Sequence, residues 1–104
     1  MSIPELDPEQ RRAALQLAAE ARRLRADLKQ MLKSGEVTLA QVLDRAGDSD
    51  ALAKMRVSEV LEALPNVGKI RSRRLMEKLD ISPTRRLRGL GPRQRQALLD
   101  EFDR

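Results

Sequence analysis

Twice, 23 residues apart, this chain interrupts helix-forming sequence with the same kind of corner. Leu64-Pro65-Asn66-Val67-Gly68-Lys69-Ile70 aligns with Leu87-Arg88-Gly89-Leu90-Gly91-Pro92-Arg93. An apolar residue, Val67 or Leu90, is placed to point into a core, and a glycine, Gly68 or Gly91, leads into the next helix. Asn66 stands where Gly89 stands, and asparagine is the non-glycine residue that best tolerates positive φ. At Gly68 and Gly91 the missing Cβ lets another backbone come close. Two such corners require short helices that double back on each other. The sequence around them agrees. Apolar residues make up 40% of the 104, mostly Leu and Ala, with Phe102 the single aromatic. Leu and Ala favour helix, and the β-branched and aromatic residues that favour strands are sparse. The expectation is an all-α fold in a single domain, residues 1–104.

Local signals divide the chain. Asp7-Pro8-Glu9-Gln10 opens a long N-terminal helix, 8–33: Asp7 caps, Pro8 suits the first helical position and Gln10 reaches back. Gly35 stops it. Leu17, Leu24, Leu28 and Met31 form its expected apolar stripe, and its Ala-rich first turns are expected to project from the rest. The helical core should occupy 38–104. Thr38 and Gln41 make a second capping box, for a helix ending near Gly47. Asp48-Ser49-Asp50 caps Ala51–Met55, and Ser58 caps Glu59–Leu64, with Val60, Leu61 and Leu64 inward. Lys69–Leu79 follows, with Ile70, Leu75, Met76 and Leu79 apolar. Ser82-Pro83-Thr84 opens a brief helix to about Leu87, and Gly91-Pro92 opens the last, Arg93–Phe102.

Charge is segregated. Residues 65–95 hold ten Lys or Arg against Glu77 and Asp80, a balance of +8, while the remainder sums to −3. Such clustering is the electrostatic footprint of a polyanion site, whereas a charge run with no turn chemistry beside it is usually a solvated face. Here the run and the corners coincide. Arg85, Arg86, Arg88, Arg93 and Arg95 surround the second corner, and the first amides of a helix are natural anion ligands. Lys69 follows the first corner directly, with Arg71 and Arg73 one turn on. With no Cys and no His, disulfides and thiolate or imidazole metal sites are excluded, and no cofactor is expected. Met1 to Asp7 is short, polar and acidic, unlike a secretory leader. The longest apolar runs fall far below the ~20 residues of a membrane span.

The first corner resembles the helix-hairpin-helix motif, in which turn amides and a following basic side chain grip successive phosphates; Asn66, Val67, Gly68 and Lys69 would make that grip. Nearly the whole chain resembles the actinobacterial integration host factors. The resemblance is carried by Asp7 to Leu15, Ala63 to Lys69, Ser82 to Gly91 and Arg93 to Leu99. It implies a small, helical, monomeric nucleoid-associated protein, located in the cytoplasm with the nucleoid. Such a protein binds and bends duplex DNA and assists phage integrase at its attachment site. It also implies a helix-two-turns-helix element. Carried across, the gripping turn falls on Leu64 to Arg71, including Pro65 and Ile70. A basic lid falls on Ser82 to Gln94, including Thr84, Gly89, Leu90 and Gly91, with Arg85, Arg86 and Arg88 as the main contacts. Asn66 departs from the family, where a Lys is common.

The expected mechanism is phosphate neutralisation on the two strands flanking a minor groove, with Arg86 or Arg88 entering it. Phosphate contacts carry no sequence information, so specificity should be low. Two other classes are open from the residues. A ribosomal-type structured-RNA binder would use the same grips, since these do not by themselves separate A-form from B-form helices. A DNA lyase or glycosylase would need a buried nucleophile with a partnered carboxylate, and Lys54 and Lys69 show no obvious acid partner in sequence. No catalytic residues are therefore expected.

Overall fold

The computed structural model describes residues 7–102; the reading of the first six residues as no leader lies outside them. Among the described residues the chain forms α1 (Pro8–Ser34), α2 (Leu39–Ala46), α3 (Asp50–Ala53), α4 (Val57–Ala63), α5 (Gly68–Lys78) and α6 (Pro92–Phe102), with a 3-10 turn at Leu87–Gly89. The fold is all-α, as its composition predicts.

Two capping boxes form as read. Gln10 N–H donates to Asp7 Oδ1 at 2.7 Å while the Gln10 side chain accepts from the Asp7 amide at 3.2 Å. Thr38 and Gln41 do the same for α2 at 3.2 and 2.9 Å. Gly35, at φ +84°, ends α1 in the left-handed conformation. The end of α5 was not anticipated in detail. Asp80 takes φ +55°. Its N–H reaches Glu77 O at 3.2 Å, and Ile81 N–H reaches Met76 O at 2.8 Å. This pair closes a Schellman turn, with Ile81 and Met76 in its hydrophobic contact, both buried.

Leu32, Val42, Val60, Leu61 and Leu98 are fully buried at the centre of one core, with Met55 and Val57 at 1% exposure. α4 packs on α5 and α1, and α2 packs on α3 and α6. Only the C-terminal third of α1 joins this core. Leu28 and Leu32 are buried and Met31 is half-buried, whereas Leu17 and Leu24 are 66% and 45% exposed. The expected stripe is thus right at Leu28 and Met31 and wrong at its first two members, because the helix outruns the core. Residues 8–20 are all exposed. The projecting helix stretches the molecule to 52 × 32 × 25 Å. The radius of gyration is 16.1 Å, against about 13 Å for a compact chain of this length.

Three further expectations are corrected. Ser58 does not cap α4: the helix starts at Val57 after Arg56, with no side-chain cap. Ile70 is 68% exposed, and Ser72 takes its place on the buried face of α5. The brief helix expected to end near Leu87 does not form across residues 82–86; Arg86 is extended and pairs with Arg56 in an antiparallel bridge, and the 3-10 turn starts only at Leu87.

The helix that outruns its core sets a contrast in stability. Leu32→Ala should cost about 2–5 kcal/mol, the range for a buried leucine. Leu17→Ala should stay within about 0.5 kcal/mol. Urea unfolding followed by circular dichroism measures both, and equal losses would mean that α1 docks along its whole length.

Candidate nucleic-acid interface

α4 joins the two basic elements. Its seven residues rise about 1.5 Å each, so its ends lie roughly 10 Å apart. The first corner leaves its C-terminal end, and the lid is anchored beside its N-terminal end.

At the first corner, Pro65 holds Leu64 extended, at φ −67° and ψ 145°. Asn66 takes φ +64° and Gly68 φ +67°. Val67 N–H bonds Leu64 O at 3.3 Å, and the Val67 side chain is buried at 7% exposure. The left-handed asparagine and the inward valine are as the sequence implies. α5 then begins with no side-chain cap, and Gly68, Lys69 and Ile70, which carry its first amides, are exposed. Orphan amides and the positive end of the helix dipole therefore face solvent together. Lys69 and Arg73 flank one cleft of about 300 Å³, whose lining includes Ser72, Met76 and Ile81. Ser72 Oγ is buried there without a hydrogen-bond partner. Arg71 lies on the other side of α5 with Arg74 and Lys78, and its Nη1 donates to Asn66 O at 3.5 Å. Arg71 and Arg73 thus do not share a face.

The lid hangs between two buried residues, Ile81 at 4% and Leu87 at 7% exposure. Residues 82–86 between them are exposed. Arg85 N–H bonds Ser82 O at 3.0 Å, and Ser82 Oγ and Thr84 Oγ1 are 3.2 Å apart, so the loop has its own tight turn. Val57 N–H donates to Arg85 O and Leu87 N–H to Met55 O, both at 2.9 Å. These bonds fasten the loop to the α3–α4 junction. Arg85, Arg86, Arg88, Ser82, Thr84 and Gly89 line one open depression. Arg86 Nη1 also donates to Lys54 O. Gly89 is not left-handed. A Cβ there would sit 3.0 Å from Arg85 Cδ and 3.3 Å from its Nη1. Glycine at 89 makes room for the arginine that crosses it.

The near-repeat of the sequence is therefore not a repeat of the backbone. The second corner is a 3-10 turn, with Gly89 N–H on Arg86 O and Leu90 N–H on Leu87 O. Gly91 N–H is occupied by Gln94 Oε1 at 3.1 Å. This corner offers arginine side chains more than free amides. Leu90 is half-buried against the core, as expected of a plug, and Arg93 is exposed at the start of α6. Arg95 turns away from the corner to Asp44 of α2 and the carbonyl of Leu43. Lys54 does have an acid partner, Asp50, at 2.9 Å, one turn earlier on the surface. An exposed pair of this kind is not the buried nucleophile that a lyase needs. Among the described residues no cluster of His, Cys, Asp or Glu could hold a metal, and no helix is long and apolar enough to cross a membrane.

A helical core that opens such a corner and folds a basic lid back beside it matches the family model described as an S13-like H2TH domain, over residues 32–102. The integration host factor of Mycolicibacterium smegmatis is 57% identical over 99% of this chain and 98% of that protein. The one from Mycobacterium tuberculosis is 57% identical over 98% of this chain and 97% of that protein. The one from Streptomyces coelicolor is 49% identical over 98% of this chain and 95% of that protein. The chain belongs to this integration host factor family. A solved structure of sIHF bound to an 8-bp palindromic DNA superposes with a TM-score of 0.82 at 46% identity, covering 84% of this chain and 98% of that one.

The two glycines give a test of how far the corners differ. Gly68→Ala should cost about 1–2 kcal/mol, because alanine must enter the left-handed region. Nothing lies within 4 Å to obstruct the new methyl, so the cost is conformational. Gly91→Ala meets only ordinary contact with Gln94 at 3.8 Å and should stay within about 0.5 kcal/mol. Matched losses in denaturant unfolding would restore the symmetric reading.

Proposed function

We propose that this protein is a non-enzymatic, sequence-tolerant binder of duplex DNA that works as one domain and as a monomer. It grips phosphates with the corner Leu64–Arg71 and with the lid arginines. The reading rests on one observation: the uncapped start of α5 and the arginine-lined depression of the lid stand at opposite ends of α4. A separation set by a helix roughly 10 Å long is of the scale of the two strands beside a minor groove about 6 Å wide. The solved relative with bound DNA supports the choice of duplex DNA over structured RNA.

In this mechanism the amides of Asn66, Gly68 and Lys69 and the Lys69 ammonium take one strand, while the Val67 N–H stays on Leu64 O. Arg85 and Arg88 take the other, with Thr84, Gly89, Leu90 and Gly91 shaping the lid and Arg93 at its rim. Pro65, Val67 and Ile70 shape the corner, and of the α5 arginines Arg73 is on the side of Lys69. Arg86 or Arg88 enters the groove, where a narrowed A·T tract has enhanced negative potential. Widening that groove bends the duplex. A smooth bend of 40–90° costs on the order of 1–6 kcal/mol, which a few charge-assisted contacts offset. A bent, sequence-tolerant complex suits a nucleoid protein in the cytoplasm that organises chromosomal DNA. It equally suits one that helps an integrase assemble on its attachment site.

If ~4–6 phosphates are neutralised, log K should fall against log salt with a slope of about −4 to −5. Affinity nearly independent of salt would remove the electrostatic basis of the reading. Replacing Arg85, Arg86 and Arg88 together by Ala should weaken binding by at least ~10²-fold, with helical circular dichroism retained. Full binding by that variant would place the duplex elsewhere, and chemical-shift mapping of wild type with DNA would show where.

A further inference from the structure

The strongest unassigned feature is a groove beside the lid, between α1 and the α3–α4 junction. Arg22, Arg25 and Lys29 of α1 line it, with Lys54 and Arg56 of the junction and Arg86 of the lid. Its one carboxylate, Glu59, lies 3.6 Å from Lys29 and pairs with it. Lys54 has Asp50. Arg22, Arg25, Arg56 and Arg86 have no carboxylate partner among the described residues.

Two details argue against a merely solvated face. The antiparallel bridge sets Arg56 directly opposite Arg86. Like charges at directly opposed positions are destabilising. Arg25 is half-buried, and the one carboxylate lining the groove, Glu59, is paired with Lys29. Three separate stretches of chain converge to build this concentration of charge, and an external polyanion is what would relieve it.

We infer that this groove is a second sugar–phosphate site, which takes the backbone of duplex DNA lying beyond the corner and the lid. The inference rests on the DNA-binding reading above. No residue of the first corner lines the groove, and Arg86 is its one link with the lid. Arg86 is held at that junction by its bond to Lys54 O. Phosphates could reach the groove from the same duplex, curved back along α1, or from a second duplex. The recognition chemistry is the same in both cases.

The test pairs Arg22→Gln/Arg25→Gln with wild type on duplexes of about 10 and about 30 bp, with salt titrations on each. Each lost phosphate contact lowers the salt slope by about 0.9. The double variant should therefore lose about 2 from its slope and about tenfold in affinity on the long duplex at moderate salt. On the short duplex, which only the corner and lid hold, it should match wild type. Arg22→Gln/Arg56→Gln changes two exposed residues and repeats the measurement without disturbing the half-buried Arg25. If both variants match wild type on both duplexes, the groove is not a DNA site. If wild type binds neither duplex, the DNA-binding reading itself falls and this inference with it. Coincidence of two differently labelled short duplexes, lost in the variants, would assign the groove to a second duplex. An effect on the long duplex alone would assign it to the same one.

Discussion

Two backbone hydrogen bonds hold the basic half of this molecule in place. Val57 N–H to Arg85 O and Leu87 N–H to Met55 O are each 2.9 Å long. Together they form the single antiparallel bridge among the described residues, in an otherwise helical fold. The lid has no helix of its own across 82–86, and its side chains are exposed. Beside the bridge, the buried Ile81 and Leu87 and the bond from Arg86 Nη1 to Lys54 O tether it. With the bridge, an exposed loop becomes a rigid presentation of three arginines, and its orientation is inherited from the junction that starts α4. The other end of α4 runs into the first corner, so one short helix sets the spacing of both basic elements. With no sheet among the described residues and no cysteine in the chain, the protein thereby obtains a set geometry for charge, which limits the entropy lost when a ligand is met.

What could be read from the sequence was local. Capping boxes at Asp7 and Thr38, the left-handed asparagine at 66 and the inward valine at 67 depend on neighbours within a few residues, and all four are found. The positions that misled depend on where distant parts of the chain go. Leu17 and Leu24 continue a helical stripe faithfully, but no core lies opposite them. Ile70 has the right chemistry for burial and the wrong phase on α5, while Ser72 has the right phase. The residues around Ser82-Pro83-Thr84 look like a helix start, yet pairing with residues 55–57 overrides that tendency.

The arginines divide in the same way. A window over residues 65–95 finds most of the positive charge of the first corner and the lid. It misses the groove against α1, because Arg22, Arg56 and Arg86 lie far apart in sequence and meet only in three dimensions. Such a window also counts Arg95, which the fold commits to Asp44. The aligned glycines of the two corners likewise promised one backbone twice. The structure gives Gly68 a conformational task and Gly89 a steric one, and no spacing rule could separate these.

The first half of α1 rests on nothing. From Pro8 to Glu20 every residue is exposed, so tertiary packing contributes nothing to keeping that stretch wound. Its order is set by the Asp7–Gln10 cap, by alanine's preference for helix and by propagation from the docked end of α1; an isolated segment of that length is marginal in water. Its amides should exchange with solvent through local unwinding long before the globule opens. The arm, in which Arg11 and Arg12 balance Glu9 and Glu20, is thus a thermally soft spring on a hard base, whose stiffness depends on temperature while the rest of the molecule stays unchanged.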